Sequence, residues 1–100
     1  MADRRRGGTL DDVDRHCAYR LHPQVALRPE PFGALAYHYG NRKLVFLKTP
    51  KMVDLVRSLA DHASLADALT AANIPQSKHA QFERALASLE ASEIICAAAR

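Results

Sequence analysis

The sequence contains no tryptophan, and Phe and Tyr together supply only six aromatic residues. A core must therefore be assembled mainly from Leu, Val, Ile and Ala. No apolar run approaches the ~20 residues that a membrane-crossing helix needs. The arginine-rich start, Met1 to Gly8, leads into further charged residues instead of an apolar stretch, so it does not read as a secretory signal. A cytoplasmic protein is the expectation. Cysteine is scarce as well: Cys17 and Cys96 lie near opposite ends of the chain. Neither has a second cysteine at CxxC spacing, so a thiolate zinc centre has nothing to build on. Two cysteines without an export signal are expected as free thiols, although the sequence alone leaves a bridge between them open.

Catalytic constellations are equally thin. The five histidines, His16, His22, His38, His62 and His79, do not pair with one another or with a carboxylate at HExxH-type spacing. His38 is expected at an exposed strand position, His62 at a helix C-terminus where a cation suits the dipole, and His16 in a tail beside Cys17. Gly7-Gly8 has neither the Lys nor the Ser/Thr of a phosphate loop, and no strand precedes it. No paired carboxylates suggest general acid–base work. These absences exclude any recognisable enzyme class, and no cofactor or metal site is expected.

What is present is enough apolar material for one core: 48% of 100 residues, with 25% charged, an ordinary balance for a single small domain. The net charge of +3 is unevenly spread. Between Arg20 and Lys51 stand Arg20, Arg28, Arg42, Lys43, Lys48 and Lys51 against Glu30 alone, whereas the chain from Ser58 onward is net acidic. The middle third would favour an acidic partner.

Residues 1–20 are polar, charge-mixed and aperiodic, and are expected as a disordered tail; residues 21–97 are expected as the folded domain, with ordered structure starting near Pro23. Val25 to Arg28 has strand character and is stopped by Pro29-Glu30-Pro31. Gly33 to Tyr39 alternates, with Leu35, Tyr37 and Tyr39 on one face and Ala34, Ala36 and His38 on the other. Gly40-Asn41 reads as a two-residue hairpin turn, and Arg42 to Lys48 as the second arm, apolar on both faces from Leu44 to Leu47. After it, Thr49 is a plausible N-cap with Pro50 at the first helical position, and Met52, Leu55, Val56 and Leu59 recur at helical spacing. Ser64 and Asp67 form a capping-box variant for a short helix with Leu65, Ala68, Leu69 and Ala72 inward. Asn73-Ile74-Pro75 ends it. A third helix over 77–91 buries Phe82, Ala85, Leu86 and Leu89, and Ile94-Ile95 pack back or extend as a short strand. The order is strand-strand-strand then helix-helix-helix, an α+β fold of winged-helix-like form with a three-stranded antiparallel sheet.

Such a topology raises DNA binding. The helix over 77–91 would be the reading helix, but it offers Lys78, His79, Gln81 and Arg84 beside Glu83 and Glu90, with no basic stripe. A winged-helix DNA-binding regulator remains an alternative, as does a structural subunit of a larger enzyme. The other reading is a peptide site: if 42–48 is an open sheet edge, it can accept an added strand, with Val45 a central ladder donor. Leu44, Val45, Phe46 and Leu47 would then supply pockets with the third helix, and Arg42, Lys43, Lys48 and Lys51 would attract acidic side chains. Against it stands the plainer reading in which these apolar residues are core and the lysines deter aggregation.

The stretch Pro23-Gln-Val-Ala-Leu-Arg-Pro-Glu-Pro-Phe-Gly-Ala-Leu-Ala-Tyr-His-Tyr-Gly40, with Arg42-Lys-Leu-Val-Phe-Leu-Lys48, resembles the peptide chaperones of mycofactocin biosynthesis. They belong to the PqqD-like recognition elements for ribosomally made, modified peptides. The similarity covers about residues 20–95 and is most specific over Val25 to Gly33. It implies a non-catalytic domain that binds a precursor peptide's leader as an extra strand along the third strand, in a cleft against the third helix. Carried onto this sequence, those positions are Lys43 to Lys48 with Phe82, Leu86 and Leu89. It also implies delivery of the precursor to a radical S-adenosylmethionine enzyme that modifies its C-terminal Val-Tyr end. The clusters and S-adenosylmethionine would belong to that enzyme, and neither nucleic acid nor membrane is an implied partner.

Overall fold

A computed structural model describes residues 13–98. Five strands and three helices follow in the order β1 (Tyr19–Leu21), β2 (Val25–Glu30), β3 (Gly33–His38), β4 (Leu44–Leu47), α1 (Pro50–Ser58), α2 (Leu65–Ala71), α3 (His79–Ala91) and β5 (Ile95–Ala97). The strands make two antiparallel sheets: a meander ordered β2-β3-β4, and a separate pair β1-β5. The expected α+β class, with a three-stranded sheet followed by three helices, is therefore what the chain adopts, enlarged by a second small sheet.

The helical half follows its local signals. Thr49 Oγ1 accepts the Met52 N–H at 3.1 Å with Pro50 at the first helical position, and Ser64 Oγ accepts the Asp67 N–H at 3.1 Å. These side chains satisfy N–H groups that a helix start leaves without partners. Asn73 adopts a φ of 61° after α2, as a residue tolerant of the left-handed region does. Inward positions Leu55, Val56, Leu59, Leu65, Leu69 and Leu86 join Ile94 and Ile95 in the core.

The meander packs on this core through its smaller side chains. Ala34 and Ala36 of β3 are fully buried, and with no bulk beyond Cβ they let α1 lie close on the sheet. Leu47 stands opposite Ala34 and Val45 opposite Ala36 on the same face. His38 shares it and is only 2% exposed, contrary to the expected exposed position; the alternation places it inward, and its ring is used to build the turn. The large residues of β3, Leu35 and Tyr37, point to the opposite face.

Gly33 marks a close approach. A Cβ there would run into the Leu47 carbonyl and sit 3.2 Å from the Thr49 nitrogen. A side chain would thus push β4 away at the point where it leaves the sheet.

Two expectations change. Ordered structure begins ahead of residue 21: Tyr19 is 1% exposed, and β1 pairs with β5 in the register Tyr19↔Ala97, Arg20↔Cys96, Leu21↔Ile95. The preceding residues also bond onward, Leu65 N–H to Cys17 O at 2.8 Å and Ala66 N–H to Arg15 O at 2.9 Å. A three-residue strand has no periodicity to read, and its partner lies at the far end of the chain. The rest of the expected tail, residues 1–12, lies outside the described residues. The hairpin tip, secondly, is not a two-residue Gly40-Asn41 turn. His38 O accepts from Arg42 N–H at 2.8 Å, and the left-handed residue is Arg42, at φ 68°. His38 Nδ1 accepts the N–H groups of both Gly40 (2.9 Å) and Asn41 (3.0 Å), so a side chain organises the wider loop.

Candidate functional site: an open strand edge beside a groove

The hydrogen-bond pattern decides which side of β4 faces outward. His38 N–H donates to Lys43 O at 2.9 Å. Antiparallel pairs alternate between bonded and non-bonded, so with the register Ala36↔Val45 and Ala34↔Leu47 the bonded pairs are those of Val45 and Leu47. The N–H and C=O groups of Leu44 and Phe46 point away from β3. Val45 is therefore not an outward ladder donor as expected; its amide holds the hairpin together.

The two margins of the meander differ. Tyr39 N–H donates to Gln24 O at 2.8 Å, which by the same alternation turns Val25, Leu27 and Pro29 outward on β2. Val25 N–H is taken by His22 O at 2.9 Å, and Pro29 has no N–H. The β2 margin thus presents a single strand donor, Leu27, and proline there blunts further pairing. β4 carries no proline and, among the described residues, pairs on one side only. The chain's own C-terminal strand, β5, lies on β1 and leaves this margin open.

Beside that margin runs a groove of about 460 Å³ between β4 and α3. Val45, Phe46, Leu47 and Lys48 line one wall; Gln81, Phe82, Ala85, Ser88 and Leu89 line the other; Thr49 and Met52 close it where the chain turns into α1. The surface is largely apolar, with Lys48 the one charged side chain among the described residues that line it. Asn41 Nδ2 donates to Ser92 O at 3.3 Å, tying the hairpin tip to the end of α3 and fixing the groove's width there.

Of the residues expected at the site, Val45, Phe46, Leu47, Lys48, Phe82 and Leu89 come together around this groove. Leu86 does not: it is fully buried on the core side of α3. Arg42, Lys43 and Leu44 are exposed at the strand's entry, outside the groove but continuous with its open margin. Lys51 Nζ donates to Ala72 O at 2.9 Å and so serves as a cap for α2. Thr49, Met52, Gln81, Ala85 and Ser88 also line the groove without having been expected there, Thr49 having read only as a helix cap. Met52 and Ala85 carried helical-periodicity signals that read as core, and Gln81 and Ser88 carried none.

Among the described residues, His22, His38 and Glu93 come within 4.8 Å of one another. The donor set does not suit a metal. His38 Nδ1 accepts two backbone N–H groups and His22 Nδ1 accepts Gln24 N–H at 3.0 Å. Each neutral ring must then carry its proton on Nε2, which removes the lone pair a cation needs. The register places Cys96 opposite Arg20, well along the strand from Cys17, and both cysteines are thiols. No described helix is long and apolar enough to cross a membrane.

The model of the peptide chaperone MftB family matches residues 18–96, a span that takes in the meander and all three helices and ends within β5. The chain is 49% identical to a peptide chaperone MftB of Mycobacterium ulcerans over 89% of this chain and 80% of the relative. It is 49% identical to that of Mycolicibacterium smegmatis, over 82% and 80%, and 42% identical to that of Mycobacterium tuberculosis, over 92% and 83%. No solved structure matches the chain.

Proposed function

Since the chain belongs to the peptide chaperone MftB family, we infer that it binds the leader of a ribosomally made precursor peptide as a fourth strand on β4 and presents that peptide to a radical S-adenosylmethionine maturase. The observation that carries this reading is the unpaired β4 margin running along the groove against α3. The outward backbone groups of Leu44 and Phe46 supply register. Phe82, Leu89 and Met52 receive apolar side chains, and the cations at both ends of the strand, Arg42 and Lys43 at one and Lys48 at the other, favour acidic flanks.

In this reading the role is non-catalytic, which membership of a peptide chaperone family supports. The chemistry, with its iron–sulfur and S-adenosylmethionine requirements, falls to the maturase.

Titration with a synthetic leader peptide and with duplex DNA tests the reading. Peptide binding should persist at moderate salt and shift the amide resonances of 44–48 and of α3. Tight DNA binding with a steep salt dependence, and no peptide binding, would overturn it in favour of a nucleic-acid-binding role.

A further inference from the structure

The other face of the same meander is also unusual. An antiparallel sheet covered on one side normally turns polar residues to water. Here the side away from the helices carries Leu35 and Tyr37 of β3 and Leu44 and Phe46 of β4. Phe32 joins them from the preceding turn and Tyr39 from the hairpin loop. The large hydrophobic residues left exposed among the described residues are Phe32 (44%), Tyr39 (64%), Leu44 (56%) and Phe46 (56%), and all lie on this face. Their rings are mutually braced: Phe32 meets Phe46 edge-on at 5.7 Å, and Tyr37 meets Tyr39 edge-on at 5.1 Å.

We propose that this outer sheet face is a second docking surface, for a folded protein that presents apolar side chains ringed by carboxylates. Under the reading of the preceding section, on which this rests, that protein is the maturase. Exposed apolar patches with aromatic content mark association sites, and rings already held by their neighbours lose little freedom on docking. The rim decides the partner. Arg28, Arg42 and Lys48 border the face, and the one acid on it among the described residues, Glu30, is held by Arg28 Nε at 3.4 Å. A second copy would bring like charges together, most directly Arg42 against Lys48 if two β4 margins paired antiparallel with Leu44 opposite Phe46. Three cations, one of them already in an ion pair, fall short of the cluster of about 4–8 that marks an anionic membrane surface. An acid-rimmed protein surface complements what remains.

Because Phe32 and Tyr39 do not line the groove, the two faces can be separated. The test uses the full chain and the radical S-adenosylmethionine enzyme that modifies the same precursor. Phe32→Glu/Tyr39→Glu should weaken binding to the enzyme at least tenfold while leader affinity stays within twofold and the amide spectrum stays dispersed. If the double variant unfolds, Tyr39→Glu alone should still weaken enzyme binding several-fold. Unchanged enzyme affinity in a folded variant overturns the proposal. So does a wild-type chain that binds leader but not enzyme, or a variant whose only loss is of self-association in sedimentation or of binding to phosphatidylserine vesicles. Failure of the wild-type chain to bind leader sinks the peptide reading instead, and is seen separately.

Discussion

The N–H of His38 donates to the carbonyl of Lys43 at 2.9 Å, and this one bond sets the parity of the whole β4 margin. With it in place, Phe46 offers its backbone to solvent and Val45 offers its backbone to β3. A slip by one residue would exchange the two and carry every side chain of β4 to the opposite face.

Proline scanning should expose that parity. Phe46→Pro removes an outward N–H while sparing the β3 ladder, so it should keep a cooperative unfolding transition and lose leader binding by tenfold or more. Phe46→Ala, which keeps the amide, should lose less. Val45→Pro should instead lower the unfolding midpoint, because it removes a bond between β3 and β4. Calorimetric titration beside thermal unfolding distinguishes these, and equal affinity for Phe46→Pro and Phe46→Ala would argue against strand addition.

Gly33 is expected to resist substitution. Alanine there meets the Leu47 carbonyl, a backbone atom that cannot swing aside, so Gly33→Ala should cost about 1–3 kcal/mol, as overpacking typically does. Denaturant unfolding measures it, and leader affinity should fall with it as β4 is displaced.

Tyr19 ties the first strand to the core. Its ring is buried and its hydroxyl accepts Asp14 N–H at 3.0 Å. Tyr19→Ala should destabilise the domain by about 3–5 kcal/mol, the range for deleting a buried aromatic side chain. A chain beginning at residue 22 should unfold at lower temperature than one beginning at residue 13. Equal midpoints would mean that β1 is dispensable.

Zinc or nickel at one equivalent should leave the unfolding temperature of the protein unchanged, because the Nδ1 acceptor bonds of His22 and His38 commit both Nε2 atoms to protons. A rise of several degrees that disappears in His22→Ala would show that the rings turn over to bind metal.

Local chemistry was legible where a signal and its partner lie within a few residues. The caps at Thr49 and Ser64, the left-handed Asn73, the alternation of β3 and the helical faces could all be read directly. The strand β1 could not, since the only thing that makes Tyr19–Leu21 a strand is Ile95–Ala97 arriving beside it. The tip of the hairpin misled for a related reason: Gly40 and Asn41 suit a tight turn, but the buried ring of His38 draws both amides inward and moves the left-handed residue to Arg42. For the candidate site, the apolar run 44–47 and its flanking lysines pointed to the strand that lies at the edge of the meander beside the groove. Which of its neighbours on α3 reach the groove could not be told, because helical periodicity marks Phe82, Leu86 and Leu89 alike as apolar.

By itself, then, the order of residues determined the class of fold, the caps and the position of a basic-flanked apolar strand, because those rest on interactions between near neighbours in the chain. Only the tertiary structure decided that β5 pairs with β1, that β4 remains the open margin and that Leu86 turns to the core while Phe82 turns to the groove. Those outcomes depend on contacts between distant segments competing for the same surfaces, and no short window of sequence contains both competitors.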